Sequence, residues 1–443
     1  MNSATTFTSA AHSHGPRRNP LELTRGTLLV VPLSLAAGAA LTMGTQLAIV
    51  AIALAVGLIV VQTASPRLLL TLLVAATFVT RFRITVAGFH FLPEHFLAAC
   101  LLLRLMLAGK SSALARVLTD RTVLLLGMFI AWEAGVSLLQ APQPAKSLPI
   151  VGWLALDWVI LIVVLATCQD SVQLERLTAR FNVSLAAIAV LLWLAYVGTG
   201  STLGTQGGYT SGGRAVFALS WEANALASTL AVWGLVGLSS RDTTVQRLAR
   251  IGAPLAIAAI ALSYTRSAVI GLALGLIVWT ASGDRLAARK VFRLAAITLG
   301  AVVVLGFVHQ VATPLEKRFT KLLALNSGTA AFRMDSVRTA SNDLTGFDLV
   351  IGRGAESFGQ THTDPTRPGQ PAYIGELPVQ IFYDSGLIGF VLLATALASL
   401  RPFARKHTGR ALGVLTVYLV AATATSPFWF GWTWILISLA IMT

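Results

Sequence analysis

Long apolar runs separated by short polar stretches dominate the chain. Candidate spans fall near 26–44, 45–63, 67–85, 92–108, 122–141, 148–167, 181–199, 218–239, 250–265, 267–282, 292–311, 378–400 and 409–426, with a short Trp-rich segment at 428–442. At 1.5 Å per helical residue, about 20 apolar residues match a hydrocarbon layer of roughly 30 Å. One buried core does not need such runs. Their repetition predicts an all-α, polytopic integral membrane protein of about 12–14 transmembrane helices.

Composition agrees with the pattern. Only 12% of the 443 residues are charged, against about 25% in soluble proteins. Between 27 and 80 the only charged residue is Arg67, and 182–213 holds none. Residues 1–25 are polar, with no separate apolar region or small-residue cleavage site, so no cleaved signal peptide is expected. The expected divisions are a cytoplasmic tail (1–25), a helical bundle (26–311), a long extracytoplasmic loop containing helices (312–377) and C-terminal spans (378–443).

The net charge of +15 does not indicate nucleic acid, because no basic stripe is interleaved with aromatics. The positives sit instead in loops between apolar runs. With the N-terminus placed in the cytoplasm, 21 of the 33 Lys and Arg residues fall on that side, and every short loop there is basic. This threading leaves two notable outer loops. One, Gly198–Arg214, is rich in Gly, Ser and Thr. The other runs from about Ala312 to Leu377, and its first part, Pro314–Asn342, reads as an amphipathic helix with Phe319, Leu322, Leu323, Phe332 and Val337 set against basic residues.

Outer arginines break the positive-inside bias. Arg214 closes the Gly-rich loop, Arg266 lies in a tight turn, and Arg333, Arg338 and Arg353 belong to the long loop. Guanidinium groups pair bidentately with phosphate, so these arginines suit a lipid diphosphate; the alternative is snorkelling to headgroups. Glu133, Asp157 and Glu222 lie in apolar runs, where an acid either lines a polar path or is hydrogen-bonded structurally. The two cysteines, Cys100 and Cys168, lie in or beside separate spans, so no disulfide is expected. His90, His95, His309 and His362 show no metal-ligand spacing, and neither a metal nor a cofactor is expected. His362 alone lies in the long loop.

Several motifs in order carry a resemblance. Gly213-Arg214-Ala-Val-Phe217-Ala-Leu-Ser-Trp-Glu222-Ala-Asn224-Ala-Leu-Ala227 resembles the R…F…N-x-L-A segment of the O-antigen ligase and O-antigen polymerase superfamily. Ser263-Tyr-Thr-Arg266-Ser267 looks like its T-x-S-R turn, with the serine displaced. Arg333 followed by Gly352-Arg-Gly354-Ala-Glu-Ser-Phe358 resembles its R…G-x-G-x-x-x-F loop, and Asp384-Ser-Gly386-Leu-Ile-Gly389 its E-T-G-x-x-G helix start. Where that family carries a His-Asn pair, this sequence reads Gly375-Glu376-Leu377-Pro378.

The resemblance implies a metal-independent glycosyltransferase of the GT-C type in a bacterial cytoplasmic (inner) membrane. Its active site would face the periplasm. The donor would be an undecaprenyl-diphosphate-linked glycan and the acceptor a lipid-linked or lipid A-type glycan, among membrane lipids and without nucleic acid. Arg214 and Arg266 would hold the diphosphate, with Arg333 or Arg338 assisting. Glu376 or His362 would act as base, and Glu222, Asn224 and Arg353 would support them. A secondary transporter and a non-catalytic envelope assembly protein are the other readings. The first lacks repeated topology, and the absent His-Asn pair keeps the second open.

Overall fold

The computed structural model describes residues 55–86, 89–206, 214–282, 329–364, 369–400 and 408–443. The expected spans at 26–44 and 292–311, and the part of the amphipathic helix before 329, lie outside these residues. The chain divides into two units, Met1–Ala64 and Ser65–Thr443. In the first, residues 55–63 are helical.

The second unit is predominantly helical. Its main helices are α1 (Pro66–Thr77), α2 (Pro93–Leu107), α3 (Ser111–Leu118), α4 (Arg121–Leu139), α5 (Pro144–Thr167), α6 (Ser171–Thr199), α7 (Ala223–Ser239), α8 (Thr243–Leu262) and α9 (Arg266–Ala281). Beyond them come α10 (Thr329–Asp343), two short helices α11 (Asp348–Ile351) and α12 (Ser357–Thr361), then α13 (Leu377–Ala398), α14 (Thr408–Ala422) and α15 (Gly431–Met442). Among the described residues, α4, α5, α6, α8 and α13 are long and apolar enough to cross a membrane. The chain is therefore a multi-pass helical membrane protein.

Helix starts differ between the two ends of the bundle. At the basic end, Ser65, Asp120, Asp170 and Asp242 each accept a backbone N–H of the first turn of α1, α4, α6 and α8. At the opposite end, α7, α9 and α13 begin from Glu222, Thr265 and Glu376 without a side-chain cap. The positive poles of three helix dipoles thus face that end.

The structure corrects the sequence reading in places. The run 67–85 is not one span: α1 stops at Thr77, and Ile84–Val86 pairs antiparallel with Phe89–Phe91. A second small hairpin pairs Thr205–Gln206 with Ala215–Val216. In the first, a β-branched run, Ile84-Thr-Val86, pairs with the aromatic Phe89-His-Phe91, and both compositions favour strand over helix. Glu222 does not lie inside a span; it is the residue preceding α7 and is half-buried.

The run 378–400 is helical but interrupted. Gly386 has φ 64° and ψ −168°, so α13 is broken there. Gly352 presses against the break: a Cβ on Gly352 would come within 2.4 Å of the Asp384 carbonyl oxygen, and its own φ is +87°. Both positions require glycine, for space and for the left-handed backbone.

Candidate functional site

The uncapped end gathers the polar side chains singled out in the sequence. Arg214 is tied to the second hairpin: its Nε donates to the Thr205 hydroxyl at 3.0 Å and an Nη to the Thr205 carbonyl at 3.2 Å. That hairpin packs on the turn before α9, where Ala215, Ala223 and Tyr264 form a buried cluster with Phe217. Tyr264 adopts φ 54°, which makes the turn tight and sets Arg266 at the first position of α9. Thr265 donates to the Asn224 side-chain oxygen at 3.2 Å, joining α9 to α7.

The segment after α14 draws in the long loop. Ala424 accepts a hydrogen bond from Arg333 through its carbonyl, and the next residue, Thr425, donates to Glu222 at 3.0 Å. Ser426 donates to Gln380 of α13 at 2.8 Å. Arg333 passes over Gly375, where an added Cβ would stand 2.8 Å from its Nε, so the guanidinium lies beside the residue preceding Glu376. Glu376 itself is half-buried at the start of α13. Arg338 is exposed on α10.

Two arginines that the sequence reading passed over lie at the same end. Arg81 stacks over Phe217 at 4.7 Å and Arg83 over Trp221 at 4.2 Å, while the Arg81 N–H donates to the Leu219 carbonyl at 3.0 Å. Their signal was present, since the threading counts both on its outer side, but neither is weighed there as a site residue.

His362 sits in a second polar group. Its ring stacks on Phe358 at 4.5 Å, and its Nε2 faces the Asp343 carboxylate at 3.5 Å. Nδ1 lies 2.9 Å from the Thr361 hydroxyl and 3.3 Å from the Phe358 carbonyl, so each ring nitrogen has an acceptor oxygen in reach.

Tyr383 donates to Asp343 at 3.1 Å and accepts from Arg353 at 3.2 Å; Arg353 also donates to Asp348 at 3.1 Å. The bond with Tyr383, then the charges of Asp348 and Asp343, raise the Arg353 pKa and keep it cationic. Asp343 and Tyr383 were not singled out from sequence, because only the folded loop brings them to His362.

The glycine motif has a structural task. The Arg353 N–H donates to the Tyr383 carbonyl at 3.0 Å and the Gly354 N–H to the Asp384 carbonyl at 2.8 Å, taking up carbonyls freed by the break in α13. On the other side of the loop the Ser137 hydroxyl of α4 accepts the Ala355 N–H at 2.9 Å, and Ser147 of α5 donates to the Ala355 carbonyl at 2.6 Å. The loop carrying His362 is thereby fixed to three helices.

Of the intramembrane acids, Asp157 meets His95 across α5 and α2 at 3.3 Å, with Trp153 donating to the other ring nitrogen at 3.1 Å. Glu133 is buried in α4. Among the described residues no group of three His, Cys, Asp or Glu side chains is arranged to hold a metal ion, and both cysteines are free. No protein-family model matches the chain, and no curated protein is similar to it.

Proposed function

We propose that the uncapped end of the bundle transfers a glycan from a polyprenyl diphosphate to an acceptor hydroxyl, in a GT-C-like enzyme of the O-antigen ligase and polymerase type. The observation that carries this reading is the convergence there of Arg214, Arg266 and Arg333 with the N-termini of α7, α9 and α13. Cationic side chains and helix N-termini both favour a doubly charged diphosphate, most of all as its charge grows on departure.

In this mechanism the arginines stabilise the leaving diphosphate. His362, backed by Asp343, removes the proton of the acceptor hydroxyl as its oxygen attacks the anomeric carbon. The bond from that carbon to the diphosphate oxygen breaks, and the proton stays on the imidazole beside the Asp343 carboxylate. Glu376, next to the Gly375 crossed by Arg333, is the alternative base.

A second reading, secondary transport, is favoured by one observation, the break of α13 at Gly386 beside buried acids. Complementation of a deletion strain distinguishes the two. With expression verified, loss of polymeric surface glycan and accumulation of lipid-linked precursor for Arg214→Ala, Arg266→Ala and His362→Ala supports transfer. Normal glycan in all three rejects it.

A further inference from the structure

At the break in α13, two carboxyl groups lie in the interior without a hydrogen bond. Glu133 comes from α4 and Asp384 from α13; each residue is 2% exposed, and none of the four side-chain oxygens has a partner. Glu133 and then Glu356 are the charged groups within electrostatic reach of Asp384. The polar neighbours are Ser385 beside Glu133, and Gln380 with the Glu356 backbone N–H beside Asp384. The Ser385 hydroxyl donates to the Ile381 carbonyl at 2.6 Å, so toward Glu133 it presents only lone pairs.

The surrounding elements supply no counter-charge. Among the described residues, no Lys, Arg or His forms an ion pair with either carboxyl. Asp157 of α5 is turned to His95, and Asp343 and Asp348 are paired with Arg353. Arg333 of α10 bonds the Ala424 carbonyl, while Lys146 and Arg338 are exposed. The acids around the pair also fall short of a metal-binding group. Two neighbouring buried carboxyls without a cation cannot both be ionised.

We infer that Glu133 and Asp384 form a proton-binding site, with at least one proton held by the pair at neutral pH. A protonated Glu133 gains a donor hydrogen that suits the lone pairs of Ser385, and the uptake is a plain transfer of H⁺ from water to a carboxylate. The site is wired to the break. The carbonyls of Tyr383, Asp384 and Ser385 accept from the Arg353 N–H, the Gly354 N–H and the Trp132 indole at 3.0, 2.8 and 2.8 Å. Trp132 is the neighbour of Glu133, and Asp384 belongs to the broken turn itself. Loss of the proton sets two negative charges against these contacts and loosens the 352–354 loop from α13. Proton binding is thus coupled to the loop that carries His362. This inference does not depend on glycan transfer.

The test uses the full chain in lipid nanodiscs. Infrared spectra at neutral pH should show a protonated-carboxyl C=O component that disappears in Glu133→Gln and in Asp384→Asn. Hydrogen exchange of the Arg353 and Gly354 amides, corrected for the intrinsic effect of pH, should be slow at neutral pH and at least tenfold faster at alkaline pH. In the double variant it should stay slow throughout. An unchanged carboxyl band in both single variants overturns the inference. Should the variants not fold, the wild-type exchange profile decides: protection lost on alkalinisation supports the site, and protection independent of pH overturns it.

Discussion

The Asp343 carboxylate stands 3.5 Å from Nε2 of His362 and accepts the Tyr383 hydroxyl at 3.1 Å. One acid therefore orients an imidazole and ties the long loop to the start of α13. A positioned general base contributes about 10²–10⁴ in rate. His362→Ala is expected to lower transfer by that range, Asp343→Asn by less, and Tyr383→Phe by less again. Initial rates in nanodiscs with equal protein loading check the order, and a Tyr383→Phe effect exceeding that of His362→Ala contradicts it.

The contact of Gly352 with the break in α13 predicts a large stability effect. An alanine there combines a left-handed backbone with a Cβ 2.4 Å from a carbonyl oxygen, and Gly386→Ala meets the Gly352 N–H from the other side at the same distance. Each should destabilise by at least about 3 kcal/mol. Gly346→Ala is the control: its φ is +54° but nothing lies within 4 Å of an added Cβ, so only the backbone cost of about 1–2 kcal/mol applies. Thermal unfolding in detergent should rank Gly346→Ala well above the other two.

At the basic end, Arg410 donates to Glu175 at 2.6 Å and the other Glu175 oxygen accepts from Ser240, fastening α14 to α6 and the end of α7. Removing one partner of a buried pair strands the other charge, at a cost of about 3–5 kcal/mol. Arg410→Met should therefore unfold at clearly lower temperature, and adding Glu175→Gln should restore most of the loss. A double variant no better than Arg410→Met alone would show that the charge is not what matters.

Much of this architecture was legible in the sequence, and the failures have physical causes. Apolar run length located most helices because the bilayer sets their length, whatever their packing. The Ser-Tyr-Thr-Arg turn and the Gly352–Gly354 motif were visible as breakers. The interruption at Gly386 was not, because hydrophobicity continues through it and only the incoming loop makes the left-handed glycine necessary. Run length likewise could not tell the Ile84–Phe91 hairpin from a continued span, and Arg81 and Arg83 were not singled out with the other outer arginines. Asp343 and Tyr383 acquire meaning only through closure of the loop.

Asp242 links charge and helix capping. It accepts the Val245 N–H at 2.9 Å and pairs with Arg176 at 2.7 Å, and the Arg176 hydrogen bond, more than any other contact, holds its pKa down at about 2. A depressed carboxylate pKa stabilises above the unfolded value of about 3.9, and the contribution is lost as pH falls through the folded value. Stability should thus show no Asp242 dependence between about pH 5 and 8. Asp242→Asn keeps the cap and should be nearly neutral at high salt, where an exposed pair is screened. Asp242→Ala should lose about 1 kcal/mol. Unfolding curves at two salt concentrations separate the two effects.

The most direct measurement of glycan transfer uses purified full-length protein in nanodiscs, with the lipid-linked precursor extracted from the deletion strain and the acceptor fraction of the same cells. The account predicts acceptor-dependent release of polyprenyl diphosphate that persists in a chelator and is lost in Arg214→Ala and Arg266→Ala. Wild-type protein that releases no polyprenyl diphosphate, yet moves the intact precursor across the bilayer, would contradict it.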